Sequence, residues 1–309
     1  MGPLEVRAEN RRRQAPGEEV LRPAPPLGGG GGGGHKGGLQ VILSVIGTKG
    51  GAGKSTVSMG LAIWMSKLKP EERVLLVEGD THVQTIQLKM CPGAERTLSD
   101  VLSEECGLEE ALYLCQLRSG GTALYPNLSI LPAGAQFLPR LRGDPVEFLR
   151  VTKQKFDLLQ SKLRKLFQRV VVDTPASFGF EHLLLTSIAD GLIYVVEPSD
   201  DSIDATVRTA RGLERLLGSR TVGVILNRMP EGEEGWKEKA RRVGRLLGVV
   251  PEDPSVGVSF RQNLPVVAAY PTSPASMALR TAAETLLNLE LKPEPFGRKF
   301  KRAIEKLGE

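Results

Sequence analysis

The chain has 309 residues, with 41 Lys and Arg against 36 Asp and Glu, so its formal net charge is +5 at pH 7. This length can bury a full hydrophobic core, and the mild positive charge suits an anionic partner without identifying one. The 3 cysteines form no CxxC pair and no apolar run approaches the roughly 20 residues that span a bilayer, which argues against a disulfide scaffold and an integral membrane protein and favours a reducing cytoplasm.

Residues 1–38 differ in composition from the rest of the chain. They are rich in arginine, proline and glycine and contain an unbroken glycine run at residues 28–34. Such a segment buries too little apolar surface to offset the entropy lost on ordering. We therefore predict a disordered tail, or an over-extended gene start, over residues 1–38, a folded domain over residues 39–292 and a separate segment over residues 293–309.

Short apolar runs alternate with longer amphipathic stretches from residue 39 onward. Strands are predicted from the Val/Ile/Leu-rich runs LQVILSVIG, RVLLVE, LSILPAG, RVVVDTP, GLIYVVEP and TVGVILN. Helices are predicted from STVSMGLAIWMSKL, DPVEFLRVTKQKFDLLQSKLRKLF and DDSIDATVRTARGLERLL. Unbroken apolar strands separated by helices indicate an α/β fold, with a doubly wound, mainly parallel sheet and helices on both faces.

A glycine-rich stretch, GTKGGAGKST at residues 47–56, joins the first predicted strand to the first predicted helix. A glycine turn at this place points backbone N–H groups at one spot beside the positive end of the helix dipole, where a polyphosphate binds well. We expect Lys54 to reach the β- and γ-phosphates, Ser55 to ligate Mg²⁺, and Thr56 to contact the α-phosphate side. The rest of the binding loop consists of Gly50, Gly51, Ala52 and Gly53.

Acidic residues follow two of the other predicted strands. RVVVD ends in Asp173, and RVLLVEGD ends in Glu78 and Asp80. Ligands bind at the carboxyl edge of a parallel sheet, so these acids are expected near the glycine loop. We predict that Asp173 holds a Mg²⁺-bound water, and that Asp80 orients the attacking water or completes the surroundings of the metal.

These motifs carry a resemblance to a known family. KGGAGKS at residues 49–55 resembles the deviant Walker A motif of the MinD/ParA group of P-loop ATPases (SIMIBI-type), in which the first loop position, here Thr48, need not be glycine. The resemblance continues in order through EGD (78–80), LSILPAG (128–134), VVVDTPASFGFE (170–181), VILNR (224–228), VPEDPSV (250–256) and NLPVVAAYPTSPASMALRTAAETL. It spans about residues 40–290 and is strongest to MinD-like proteins.

The resemblance implies a substrate, a cofactor and a mode of assembly. In this family the lysine at the position of Lys49 reaches across a homodimer to the phosphates of the partner subunit, with two ATP molecules between the subunits. The acid at the position of Asp80 serves hydrolysis, which is expected to be slow and stimulated by an unidentified partner protein. ATP and Mg²⁺ are therefore expected, with adenine contacts from Asn227, Arg228, Pro251, Glu252 and Asp253.

This chain departs from the MinD pattern at three positions. An aspartate is usual where Glu78 stands, an asparagine where Thr85 stands, and a glycine where Ser177 stands. A missing glycine can change how the second switch loop approaches the γ-phosphate. Nucleotide binding is expected to survive these changes, whereas the hydrolysis rate is left open.

The C-terminal stretch PEPFGRKFKRAIEKLGE places Phe296, Phe300, Ile304 and Leu307 on one helical stripe with basic residues around it. An apolar stripe with a basic rim suits an anionic lipid surface, and MinD proteins end in a comparable segment. Residues 295–307 are therefore expected to attach a cytoplasmic protein peripherally to the inner face of the cell membrane. A last helix packed on its own domain is the competing interpretation.

Three functions fit the resemblance. The first is a MinD-like switch that dimerises on ATP, organises a division site or a cell-surface structure, and releases on hydrolysis. The second is a ParA-like partition ATPase that binds DNA through basic helices such as KEKARRVGRLL, although such a helix can equally be a solvated face. The third, a metal-cluster maturation ATPase, is disfavoured by the cysteine spacing.

Overall fold

The computed structural model describes residues 40–119, 122–135, 144–176 and 179–308. The predicted tail at residues 1–38 lies outside these ranges, as does Ser177.

The strands form an open, twisted α/β sheet. They are β1 (Val41–Ile46), β2 (Val74–Glu78), β3 (Tyr113–Leu114), β4 (Arg118–Ser119), β5 (Thr122–Ala123), β6 (Leu128–Leu131), β7 (Arg169–Asp173), β8 (Gly191–Val196), β9 (Thr221–Met229) and β10 (Leu246–Pro251). The main sheet has the order β10-β9-β8-β1-β7-β2-β6-β3, and β4 pairs separately with β5. The main sheet is parallel except at its edge, where β3 pairs antiparallel with β6. The predicted fold class is confirmed.

Helices cover both faces of the sheet. They are α1 (Lys54–Leu68), α2 (Thr85–Met90), α3 (Leu98–Leu102), α4 (Pro145–Leu166), α5 (Phe180–Ser187), α6 (Asp200–Leu217), α7 (Gly235–Ala240), α8 (Pro254–Arg261), α9 (Val266–Ala269), α10 (Pro274–Leu287) and α11 (Phe296–Gly308), with a 3₁₀ turn at Leu108–Ala111. The strand β1 shows why the predicted strands are apolar throughout, since Leu43 and Val45 enter one core cluster and Ile42 and Ile46 enter the other.

The two long predicted helices begin at side-chain caps. Asp144 accepts a hydrogen bond from the backbone N–H of Val146 at the start of α4, and Ser199 accepts one from Ser202 at the start of α6. The helix α6 ends at Gly218, which has a φ of 67°. A left-handed C-terminal residue of this kind favours glycine. Local sequence thus sets where these helices begin and where α6 ends.

The order of the strands reverses at β1, which lies between β7 and β8. On one side of β1 the strands are β8, β9 and β10, and on the other they are β7, β2, β6 and β3, so the chain crosses from one half of the sheet to the other between β7 and β8. Ligands of open α/β sheets bind in the crevice that forms at such a switch point. The glycine loop that follows β1 lies at this crevice.

The stretch KEKARRVGRLL, predicted as one basic helix, is not a single helix. α7 ends at Ala240, and Leu246 begins β10, which pairs parallel with β9. The sheet offers this segment a strand partner that local sequence does not reveal. Two of its cations are also paired with α6, Lys239 with Asp200 at 2.8 Å and Arg242 with Asp204 at 2.8 Å. The structure therefore gives the DNA-binding interpretation no free basic helix at this stretch.

The C-terminal helix α11 packs on its own domain. Phe296 and Phe300 are buried, and the Phe296 ring stacks at 5.3 Å from the ring of Phe156 in α4. Lys299 is fully buried and donates a hydrogen bond to the carbonyl oxygen of Ala189. Two residues of the apolar stripe predicted at residues 295–307 thus face inward in this packing, where the two phenylalanines fill the core beside α4, and membrane attachment through this segment stays a prediction.

Polar contacts fix the start of α11 in the same place. The backbone N–H of Phe296 donates to Oε1 of Gln160 at 2.9 Å, and that of Gly297 donates to Oδ1 of Asp157 at 2.8 Å. These bonds satisfy first-turn N–H groups that a helix leaves unpaired. Among the described residues, no helix is both long enough and apolar enough to cross a membrane.

Candidate functional site

The glycine loop is shaped by left-handed backbone at two positions. Gly51 has a φ of 83° and Gly53, which directly precedes α1, has a φ of 93°. A Cβ atom at Gly53 would also lie 2.2 Å from Nδ2 of Asn227, so only glycine fits there. The loop therefore reaches the N-terminus of α1 in the conformation that turns its backbone N–H groups toward a bound anion.

Lys54 begins α1 and is only 6% exposed. Its side chain runs back across the loop, where a Cβ atom at Gly47 would lie 2.8 Å from Cγ of Lys54. Gly47 thus leaves the channel through which the lysine stem passes. The predicted phosphate-binding lysine is held in one direction by packing before any ligand arrives.

Asp173, at the end of β7, is bonded to both serines of the first helical turns. Oγ of Ser55 donates to its Oδ2 at 2.7 Å, and Oγ of Ser58 donates to its Oδ1 at 2.9 Å. Burial raises the pKa of the Asp173 carboxyl to about 6, against the lowering effect of these hydrogen bonds and of the Lys54 charge. The hydroxyl of Ser55 and the carboxyl of Asp173 therefore place two oxygen atoms, 2.7 Å apart, beside the loop.

Asp80 follows β2 and organises the turn that leads to α2. Its Oδ1 accepts hydrogen bonds from the backbone N–H groups of His82 at 3.0 Å and Val83 at 3.3 Å. The side chain lines the same cavity as the glycine loop. Asp80 is therefore positioned both to support its turn and to face the contents of the cavity.

Asn227 and Asp253 have structural partners as well as a place at the cavity. Nδ2 of Asn227 donates to the carbonyl oxygen of Ala52 at 2.8 Å and so fixes the back of the loop. Asp253 accepts from the backbone N–H of Ser255 at 2.8 Å and that of Ala275 at 3.0 Å. Partial burial acts to raise the pKa of Asp253, but these hydrogen bonds prevail and lower it. The Nδ2 group of Asn227 and both carboxylate oxygens of Asp253 are thus already engaged within the protein.

A cavity of about 600 Å³ joins these parts. Of the predicted site residues it is lined by Gly50, Gly51, Gly53, Lys54, Ser55, Thr56, Asp80, Asn227, Arg228, Pro251, Glu252 and Asp253. Ala52 is buried behind the loop, and Asp173 lies beneath it on Ser55. The structure therefore brings the phosphate-binding and base-binding predictions into one continuous space.

Lys49 is separate from this cavity. Its side chain is 68% exposed, and its Nζ lies 3.9 Å from Oε2 of Glu197. Glu197 pairs more closely with Arg228, at 2.8 Å. The lysine is thus loosely tethered by Glu197 and largely exposed to solvent.

Glu78 is a buried acid whose environment the sequence did not reveal. It accepts hydrogen bonds from the backbone N–H groups of Ile86 at 2.7 Å and Gln87 at 3.3 Å in the first turn of α2. Burial raises the pKa of Glu78 to about 8, the N–H of Ile86 lowers it, and the charge of Asp173 raises it again. Its position at the end of a buried strand was the available signal.

Apolar residues at the cavity mouth were also missed. Phe260 of α8 and Val83 both line the cavity and are each 63% exposed. Nζ of Lys89 lies 4.4 Å from the centre of the Phe260 ring. Local sequence could not reveal them, because α8 is short and its place at the cavity depends on the packing of α9 and α10.

Comparisons with known proteins agree with this geometry. The family model described as the CobQ/CobB/MinD/ParA nucleotide binding domain matches residues 43–266. An uncharacterised ATP-binding protein of Methanocaldococcus jannaschii is 29% identical over 276 residues, covering 86% of this chain and 97% of that protein. The antiactivator FleN of Pseudomonas aeruginosa is 26% identical over 266 residues, covering 83% and 89%. The structure of the septum site-determining protein MinD of Pyrococcus horikoshii, complexed with Mg-ADP, aligns with a TM-score of 0.65 and 26% identity, covering 80% of this chain and 96% of that one.

Proposed function

The chain belongs to the CobQ/CobB/MinD/ParA nucleotide-binding family, and from this premise we propose that it is a MinD-like ATPase that dimerises on binding ATP, organises a division site or a cell-surface structure, and releases on hydrolysis. The observation that carries the proposal is that two lysines of the glycine loop differ in burial. Lys54 is buried and directed along its own loop, whereas Lys49 is exposed at the rim. Hydrolysis of ATP by water to ADP and phosphate is the reaction.

The residues beside the loop fit a magnesium ion. Ser55 offers a hydroxyl and Asp173 a carboxylate 2.7 Å from it, and both are hard oxygen donors. No group of three or more His, Cys, Asp or Glu side chains within the described ranges could hold a metal alone. A Mg²⁺ ion that is bound mainly by phosphate oxygens and water needs few protein ligands. When bound, Mg²⁺ would neutralise charge on the phosphate oxygens.

The chain's own groups supply the remaining chemistry. The loop N–H groups and Lys54 would bind the phosphates and stabilise the negative charge that spreads over them in the transition state. Asp80, at the cavity wall, would accept a hydrogen bond from the attacking water and orient it in line with the γ-phosphorus. Asn227, Arg228 and the residues that follow β10 would line the base. Hydrolysis is proposed to be slow until a partner protein stimulates it.

The second lysine gives the switch its dependence on assembly. Within the part of the chain that the structure describes, the ammonium group of Lys49 is held by one long contact of 3.9 Å with Glu197, which is itself paired with Arg228 at 2.8 Å. An exposed cation with so weak a tether can move to a phosphate held by a second copy of the chain. A charge supplied from outside the subunit, like an arginine finger, makes transition-state stabilisation conditional on the dimer.

The test compares Lys49→Ala with Lys67→Ala. Lys67 is also an exposed lysine, but it lies on α1 and not in the glycine loop. We expect the wild type and Lys67→Ala to be dimers by light scattering in ATP and Mg²⁺ and monomers in ADP. Lys49→Ala should still bind ATP yet stay monomeric. An ATP-dependent dimer of Lys49→Ala with full hydrolysis would contradict the proposal.

Adding anionic vesicles or DNA to the protein tests where in the cell it acts. Some of the relatives are named for septum-site determination or for antiactivation, and we propose a cytoplasmic positioning role of that kind for this chain. Peripheral attachment through residues 295–307 would first require α11 to leave the domain, because Phe296 and Phe300 are buried. Sedimentation with anionic vesicles only in ATP would support attachment, whereas retardation of DNA without vesicle binding would favour a partition ATPase.

A further inference from the structure

A shallow groove lies between α6 and α11, on the face of the sheet opposite α1 and α10. Its volume is about 490 Å³, and it is lined on α6 by Arg208, Gly212, Leu213, Arg215 and Leu216 and on α11 by Lys306. The groove shares no lining residue with the nucleotide cavity. Three features of this groove are not explained by contacts within the described chain.

The first feature is a stripe of arginines along α6. Arg208, Arg211 and Arg215 are spaced by three and four residues, so they share one helical face, and all three are exposed. None of them has an ion pair or hydrogen bond to another described residue, whereas Arg164, Arg169 and Arg302 are bonded to acids or carbonyl groups. Like charges at this spacing destabilise a helix.

The second feature is Gly212, in the middle of the same helix. A glycine in a helix interior is destabilising relative to alanine. A Cβ atom at Gly212 would meet nothing within 4 Å, so no neighbour in the described chain requires a glycine there. The absent side chain instead leaves the backbone of α6 open to close approach from outside.

The third feature is the floor of the groove. Leu216 is half-buried and presents apolar surface among the cations, whereas Leu213 beneath it is buried in the core. The acids Glu214 and Glu305 are exposed nearby but do not line the groove. A ligand that fits this surface must therefore carry both negative charge and apolar side chains.

From these features we propose that the groove between α6 and α11 is the docking site for an acidic amphipathic segment of a partner protein. Carboxylates of the segment would pair with Arg208 and Arg215, and an apolar side chain would pack on the exposed part of Leu216 in the space left by Gly212. A nucleic acid has no aliphatic group for the leucines, and no aromatic side chain lines the groove to stack a base. A flat bilayer surface does not fill a concave groove.

The helix α6 also connects this site to the phosphate loop. Oγ1 of Thr206, two residues before Arg208, lies 3.0 Å from Oγ1 of Thr48, the neighbour of Lys49. A segment docked on α6 therefore contacts an element that touches the loop directly.

The test uses the full chain without nucleotide and a short fluorescein-labelled peptide with glutamate on one helical face and leucine on the other. We expect saturable binding by fluorescence anisotropy that weakens with salt. The double variant Arg208→Glu/Arg215→Glu and the variant Gly212→Leu should each weaken it by at least about tenfold, which corresponds to roughly 1.4 kcal/mol. Gly212→Leu replaces glycine with a better helix former, so loss of binding there would not reflect loss of folding.

The matched control is Lys67→Glu/Lys292→Glu, which makes the same change in net charge at two other exposed lysines. This control should bind the peptide within about twofold of the wild type, since a charge outside the contact is nearly neutral to affinity. Equal loss in the control, or equal binding of polyglutamate without leucine, would overturn the proposal in favour of nonspecific attraction. Displacement of the peptide by duplex DNA or by anionic vesicles, but not by unlabelled peptide, would also overturn it.

Discussion

Burial determines the chemistry of the charged residues around the phosphate loop. Lys54 and Asp173 are both nearly inaccessible, and each is held by neighbours that come from other elements. Glu78 lies beside Asp173 across the register of β2 and β7 and is kept neutral to a higher pH by its surroundings. The carboxyls at this edge therefore differ in protonation although they belong to the same class of acid.

Glu78 should make the stability of the protein fall as pH rises. Its pKa is about 8 in the folded chain against an ordinary value of 4.5, so between these values the folded state binds more protons than the unfolded state. The free energy of unfolding should therefore decrease with pH across this window, by at most about 1.4 kcal/mol per pH unit. Urea denaturation from pH 6.5 to 8 measures this slope where Asp173, with a pKa of about 6, no longer contributes much.

The matched variant is Glu78→Gln, which keeps an oxygen acceptor for the N–H of Ile86. We expect its unfolding free energy to be flatter over the same pH range. A slope unchanged by the substitution would mean that another group is responsible.

Asp80 should serve hydrolysis more than binding. Asp80→Asn keeps the oxygen that accepts from His82 and Val83, whereas Asp80→Ala loses it. We expect both variants to bind ATP, and phosphate release to fall by at least about 100-fold in both, because each lacks the carboxylate that orients water. If Asp80→Asn turns over normally and only Asp80→Ala fails, the residue supports its turn and has no catalytic role.

At the scale of elements, the amphipathic pattern of α11 fits two different environments. An apolar stripe with a basic rim is typical of a membrane-surface helix and of a helix packed on a core, because both bury one face. Here α4 supplies that face, and Arg302 donates to the carbonyl oxygen of Leu217 at the end of α6. The partner of an amphipathic helix is decided by whether a complementary surface exists in the same molecule.

Phe296→Ala should destabilise the domain. The ring is fully buried and stacked on Phe156 and Phe300, so its removal leaves a cavity that typically costs about 3–5 kcal/mol. Urea denaturation should show a lower midpoint with an unchanged m value. The control is Phe260→Ala, whose ring is 63% exposed and should matter far less; an unaffected Phe296→Ala variant would show that α11 is not docked in solution.

At the scale of the whole molecule, the sheet creates the site by its order. β1 ends at the glycine loop, β7 ends at Asp173, and β2 ends at Glu78, and these strands are neighbours. Their carboxyl ends lie at one edge, where the crevice of the strand reversal opens. The strand order of the folded sheet therefore brings together groups that are far apart in sequence.

Nucleotide binding should in turn stabilise the whole domain. A ligand that binds only the folded state at about 100 times its Kd adds about 2.7 kcal/mol, which corresponds to a rise in Tm of roughly 5–10 °C for a domain of this size. We expect this shift with ATP and Mg²⁺ for the wild type and for Lys67→Ala, and none for Lys54→Ala. Calorimetry measures it, and an equal shift in Lys54→Ala would remove that lysine from the phosphate site.

The sequence by itself determined the parts of this protein that depend on local order. The strand-loop-helix unit around Lys54, the acids at the ends of strands and the α/β class all followed from patterns within a few residues, because hydrophobic periodicity and glycine turns act locally. The bounds of α6 followed from its caps in the same way. These parts also carried the family resemblance.

Only the tertiary structure decided which surfaces meet. The bond from Asn227 to Ala52 joins residues 175 positions apart, and the bond from Ser58 to Asp173 joins residues 115 apart. The burial of Glu78, the strand β10 in place of a basic helix, and the docking of α11 all depend on partners of this kind. Burial and pairing are properties of the folded surroundings, so a sequence pattern can propose an amphipathic face or an acid but cannot say what covers it.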